Sequence, residues 1–114
     1  MLADAGRLEQ IVHNLIGNAV RHTPPGGIVL VRAATEPGWV ILTVRDTGDG
    51  IAPEDLPRIW DRFYRSDAAR DREHGGAGLG LALVKELSEA MGGEVAVTSA
   101  PGDGACFTVR LPAA

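Results

Sequence analysis

Apolar residues at Leu8, Ile11, Val12, Leu15, Ile16, Ala19 and Val20 recur every three or four positions, which predicts an amphipathic helix over residues 7–22. The run Pro24-Pro25-Gly26-Gly27 ends it, because proline lacks an amide donor and clashes with the preceding turn. The period then changes. "IVLVRAAT" and "WVILTVRD" are rich in residues that suit strands, and Glu36-Pro37-Gly38 between them offers a turn with proline second and glycine third. An antiparallel hairpin is expected there.

In "PEDLPRIWDRFYRSD", Pro53 suits a first helical turn and Pro57 limits what can follow, which predicts a short helical or irregular piece. Residues 66–76 read as a polar loop. A helix is expected over about 79–91, with Leu79, Leu83, Leu87, Ala90 and Met91 on one face and Gly92-Gly93 as its stop. A second hairpin, "EVAVTS" and "ACFTVRLP" around "APGDG", closes the chain. The pattern as a whole predicts helices on one face of a mixed, mainly antiparallel sheet, an α/β two-layer sandwich.

Size and charge narrow the function. At 114 residues the chain is expected to form one domain, 1–114, around one core. A formal charge of -4 and a pI near 5.2 argue against a nucleic-acid binder. The arginines Arg58, Arg62, Arg65, Arg70 and Arg72 alternate with acidic residues and read as a solvated, salt-bridged face. The lone Cys106 lies in a strand pattern, is expected to act as a small buried hydrophobe, and fits a reducing compartment. No apolar run reaches membrane-spanning length and Met1 opens no signal-peptide pattern, so the chain as given is expected to be soluble and without direct membrane contact. A cytoplasmic location is expected, with a membrane-anchored parent protein left open.

The candidate chemistry starts with "HGGAGLGLALVK", where Gly75, Gly76, Gly78 and Gly80 crowd the start of a helix. Glycine there costs folding entropy, and bare backbone at a helix start attracts anions such as phosphate. The known phosphate loops do not fit. The single lysine, Lys85, lies deep in the helix rather than beside the last glycine, and the order G-x-x-G-x-G follows charged residues instead of a strand. A glycine hinge is the plain alternative.

On the first helix, Asn14, Asn18 and Arg21 fall within roughly 60° of arc at about 100° per residue. Asparagine is a mediocre helix former, so a pair one turn apart suggests amide oxygens offered to a hard cation such as Mg²⁺, against the alternative of an ordinary polar face. In "VRDTGDGI", Asp46 ends a strand and precedes Gly48 and Gly50, which puts a carboxylate where a ligand can approach backbone. A tight turn with a solvated aspartate would look the same.

In order, "NLIGNAVRHT", "DTGDGI", "DRFYRSD" and "GGAGLGLALVK" resemble the N, G1, F and G2 boxes of the catalytic ATP-binding domain of sensor histidine kinases. The resemblance runs from Arg7 through "FTVRLP" and implies the Bergerat fold shared with gyrase, heat-shock chaperone and mismatch-repair ATPases. It implies that Asn18 binds Mg²⁺, Asn14 helps hold the metal-phosphate site, Arg21 approaches the phosphates and His22 lies against adenine, where the family often has tyrosine. Asp46 would take the adenine amino group, with Gly48, Gly50 and Ile51 shaping the pocket. Phe63 would anchor a mobile lid over residues 66–76, and Arg65 would stabilise the γ-phosphoryl group in transfer. Gly76, Gly78 and Gly80 would frame the phosphates, with Ala77 and Leu79 in the same set. Ala77 departs from the usual Ser or Thr, so a hydroxyl contact is missing there. The start also departs, since "LADAGRLEQ" runs almost directly into the helix where the family usually has a strand. His13 has no motif role and is expected at the surface.

Related ATPases carry a glutamate base where this chain has Asn14, and an amide cannot accept a proton at neutral pH. The resemblance therefore implies phosphoryl transfer from ATP with Mg²⁺, catalysed with Asn14 and Arg65, ahead of hydrolysis. A nucleotide-sensing module without turnover and an ATPase or serine kinase of the same superfamily are the alternatives. None of His13, His22 or His74 is followed by an acidic residue on a dimerising helix. The acceptor histidine is expected on another domain or protein, in cis or in trans, with a response regulator downstream.

Overall fold

The computed structural model describes residues 5–61, 80–99 and 102–113. Helix α1 (Ala5–His22) is followed by strands β1 (Val29–Glu36) and β2 (Trp39–Asp46), a 3-10 turn at Leu56–Arg58, helix α2 (Gly80–Ala90) and strands β3 (Glu94–Ser99) and β4 (Ala105–Pro112). Each element lies where the hydrophobic pattern predicts it. The strands form one sheet in the order β1-β2-β4-β3, and every described pairing is antiparallel. The parallel component of the expected mixed sheet is therefore not found among the described residues.

The helices pack on each other and on one face of the sheet. Strand β4 shows why. Ala105, Phe107, Val109 and Leu111 are buried while Cys106, Thr108, Arg110 and Pro112 alternate with them on the other face. Val44 and Leu42 of β2, Ile11, Leu15 and Ala19 of α1, and Val84 of α2 complete the core with Ile59. Trp60 meets Phe107 edge to face, at 5.8 Å between ring centroids, and fixes the turn after the 3-10 segment to the sheet. On the opposite face Arg110 stacks on Trp39 and pairs with Glu94 at 3.0 Å.

Three expectations need correction. Val20 is 58% exposed, because α1 turns the line Ile11, Leu15 and Ala19 inward and the next residue lies about 100° away. The inner face of α2 carries Val84 and Ser88, with Leu81, Leu87 and Met91 packed beside them, while Ala90 is exposed. Ser88 takes a fully buried place because its hydroxyl donates to the Val84 carbonyl at 2.7 Å. Cys106 is only half-buried, since it points away from the helices.

Gly92-Gly93 stops α2 as expected. Gly92 adopts φ 82°, its amide donates to Glu89, and the Gly93 amide donates to Ser88 at 2.8 Å, the paired bonds of a Schellman cap. No described helix is long and apolar enough to cross a membrane.

Candidate functional site

Asn18 follows Leu15 by one helical turn and occupies a position that an apolar residue would take in a plain core helix; it is 8% exposed. Asn14 lies one turn before it on the same face and is half-buried. Its Nδ2 is buried and, among the described residues, has no hydrogen-bond partner. An unpaired buried donor costs about 1–3 kcal/mol, so this amide is poised for an acceptor. Arg21 extends the row outward. Its Nη2 lies 4.0 Å from the point a β-carbon on Gly80 would occupy, so the guanidinium spans from α1 to the first residue of α2. His13 is exposed, as expected.

The second half of the site starts where β2 ends. Asp46 is 3% exposed, and its Oδ1 accepts the Gly48 amide at 2.8 Å. A carboxylate has lone pairs for several donors, and this bond engages one oxygen. The same turn is tied to the end of α1. A β-carbon on Gly48 would meet the His22 carbonyl oxygen, and the Asp49 amide donates to that oxygen at 3.4 Å. Thr47 exchanges two bonds with Ile28, amide to carbonyl at 3.1 Å and Ile28 amide to Thr47 Oγ1 at 2.9 Å. Gly50 turns the chain at φ 76°, and Ile51 packs against the core.

The structure thus brings Asn14, Asn18 and Arg21 onto one face of α1, sets Gly80 across from Arg21, and joins His22 to the turn after Asp46. At Gly48 the need for glycine comes from the protein's own backbone as much as from any ligand. Phe63, Arg65, Gly76, Ala77, Gly78 and Leu79, and the expected lid over 66–76, lie outside the described residues. Sequence reasoning passed over Ser99 and Gly104, which contact the Asp46–Ile51 turn; their signal, a strand end and a Gly-rich turn, reads as an ordinary hairpin. Among the described residues no group of three or more His, Cys, Asp or Glu comes together to hold a metal ion.

Residues 3–114 match the family model described as histidine kinase-, DNA gyrase B-, and HSP90-like ATPase. The chain is 44% identical over 109 residues to the sensor protein SrrB of Staphylococcus aureus, covering 96% of this chain and 19% of that protein. It therefore spans about a fifth of the curated relatives' length. Among solved structures, the mycobacterial sensor histidine kinase MprB superposes with a TM-score of 0.87 at 36% identity, over 98% of this chain and 76% of that one. Full-length ShkA in complex with AMPPNP superposes at 0.82 with 47% identity, over 96% of this chain and 22% of that one.

Proposed function

The chain belongs to the histidine kinase-, DNA gyrase B- and HSP90-like ATPase family, and from that membership we propose that it binds Mg-ATP and passes the γ-phosphoryl group to a histidine outside this chain. The observation that carries the reading is the buried, unpartnered Nδ2 of Asn14 on the helical face of Asn18 and Arg21. A donor in that state is satisfied by an acceptor oxygen, and a nucleotide triphosphate offers several. The AMPPNP bound in ShkA supports the nucleotide class.

In this reading Asp46 accepts from the adenine amino group, with Gly48, Gly50, Ile51 and His22 forming the walls around the base. Arg21 meets the phosphates near Gly80, whose place at the start of α2 adds the positive end of a helix dipole. Phe63, Gly76, Ala77, Gly78 and Leu79 complete the nucleotide set. Asn18 would offer an amide oxygen to Mg²⁺, a cation that keeps several waters and takes phosphate oxygens. When bound, Mg²⁺ neutralises phosphate charge. Asn14 cannot take a proton from water, which supports transfer over hydrolysis. Arg65 stabilises the charge of the transferring group.

Transfer needs an acceptor held in line with the γ-phosphate, so the chain is a catalytic part that works with a phosphoacceptor histidine domain and a response regulator, in the cytoplasm. The test mixes the chain with γ-labelled ATP, with and without a separate dimeric helical hairpin bearing the acceptor histidine. Acid-labile, base-stable label on the hairpin is expected, with Arg65→Ala slowing transfer more than it weakens ATP binding. Label on this chain alone or brisk hydrolysis without a partner overturns the reading. Binding with no transfer to any cognate hairpin leaves a nucleotide sensor instead.

A further inference from the structure

The turn after Asp46 is held from a second side. Ser99, the last residue of β3, accepts the Ile51 amide on Oγ at 2.8 Å and donates from that oxygen to the Gly104 carbonyl at 2.6 Å. One hydroxyl thus satisfies a donor in the turn and an acceptor in the β3–β4 hairpin. The Gly102 amide donates to the Asp49 carbonyl at 2.8 Å. A β-carbon on Gly104 would come 2.0 Å from the Asp46 carbonyl oxygen, so the two backbones touch with no side chain between them. The register explains the meeting, because Asp46 pairs with Ala105 and Ala105 with Ser99 in one row across the sheet end.

We propose that Ser99 is a positioning residue for the nucleotide site: its hydroxyl locks the turn to the hairpin and thereby holds Asp46 and Ile51 in the geometry an adenine ring needs. The inference rests on the nucleotide reading above. A turn with Gly48 and Gly50 has much backbone freedom to lose, and fastening it at His22 on one side and Ser99 on the other removes that freedom before the ligand arrives. Alanine at 99 strands both the Ile51 amide and the Gly104 carbonyl, whereas threonine keeps the hydroxyl and suits a strand.

The experiment compares the unmutated chain with Ser99→Ala and Ser99→Thr, titrating a non-hydrolysable ATP analogue by calorimetry and following amide exchange of the free protein by NMR. Ser99→Ala should weaken the analogue about five- to tenfold and speed exchange at Ile51, while core amides such as Val44 and Val109 keep their protection. Ser99→Thr should restore both. Unchanged affinity in Ser99→Ala, unchanged exchange at Ile51, or a threonine variant as impaired as the alanine one overturns the role of Ser99 alone. An unmutated chain that fails to bind the analogue overturns the nucleotide reading and this proposal with it.

Discussion

A β-carbon on Gly48 would lie 2.0 Å from the carbonyl oxygen of His22, which puts the last residue of α1 in direct backbone contact with the turn after β2. Far apart in sequence, the asparagine face of α1 and the carboxylate of Asp46 are thereby parts of one rigid frame.

Gly48→Ala inserts a methyl group where there is no space, so either the end of α1 or the turn must move. Overpacking of this kind costs about 1–3 kcal/mol. Urea denaturation should show a loss of that size, and calorimetry should show nucleotide affinity reduced at least about tenfold as the frame opens. Full affinity in a folded variant would mean that the frame does not govern binding.

Asp46→Asn should separate the fold from the ligand. Asparagine keeps an oxygen for the Gly48 amide, so stability should stay within about 1 kcal/mol of the unmutated chain. The charged acceptor is lost, which should weaken adenine nucleotides about ten- to a hundredfold by calorimetry. Equal binding of ATP and GTP by the unmutated chain would refute the adenine assignment.

Asn14→Ala should separate stability from function. Because Asn14 Nδ2 has no described partner, removing it relieves an unpaired donor, which offsets the packing that the half-buried side chain loses, and the free chain's denaturation midpoint should stay nearly unchanged. The same change should lower affinity for Mg-ATP about fivefold or more. A large loss of stability would identify Asn14 as a structural residue.

Asn18→Ala should remove the benefit that Mg²⁺ gives to nucleotide binding. The ratio of affinities measured with and without the ion should fall toward about one, since the ion loses a protein oxygen but keeps phosphates and waters. A ratio equal to that of the unmutated chain would exclude Asn18 as a ligand.

The elements themselves were legible along the chain because each rests on local physics. The spacing of Ile11, Leu15 and Ala19, the Pro37-Gly38 turn, the Gly92-Gly93 stop and the alternation of Phe107, Val109 and Leu111 act within a few residues. The resemblance carried by four short motifs supplied the family, and Asn14, Asn18, Arg21 and Asp46 were singled out by their spacing and neighbours. The inner face of α2 departs from the apolar pattern at Ser88, which Leu83 outranks on any hydrophobicity scale. What buries Ser88 is a bond to its own helix, to Val84.

The sequence by itself determined which segments form helices and strands, and which polar residues share the face of α1. Only the tertiary structure decided that β4 enters the sheet between β2 and β3, and from that insertion the rest of the site follows. It lines up Asp46, Ala105 and Ser99 in one row, brings Gly104 against the Asp46 carbonyl, and makes a hairpin serine a support for the turn. Strand order depends on contacts between segments remote in the chain, and local propensity is blind to it. The glycines show the same division. A turn-forming Gly104 is readable from its neighbours, but the backbone it must admit belongs to another strand.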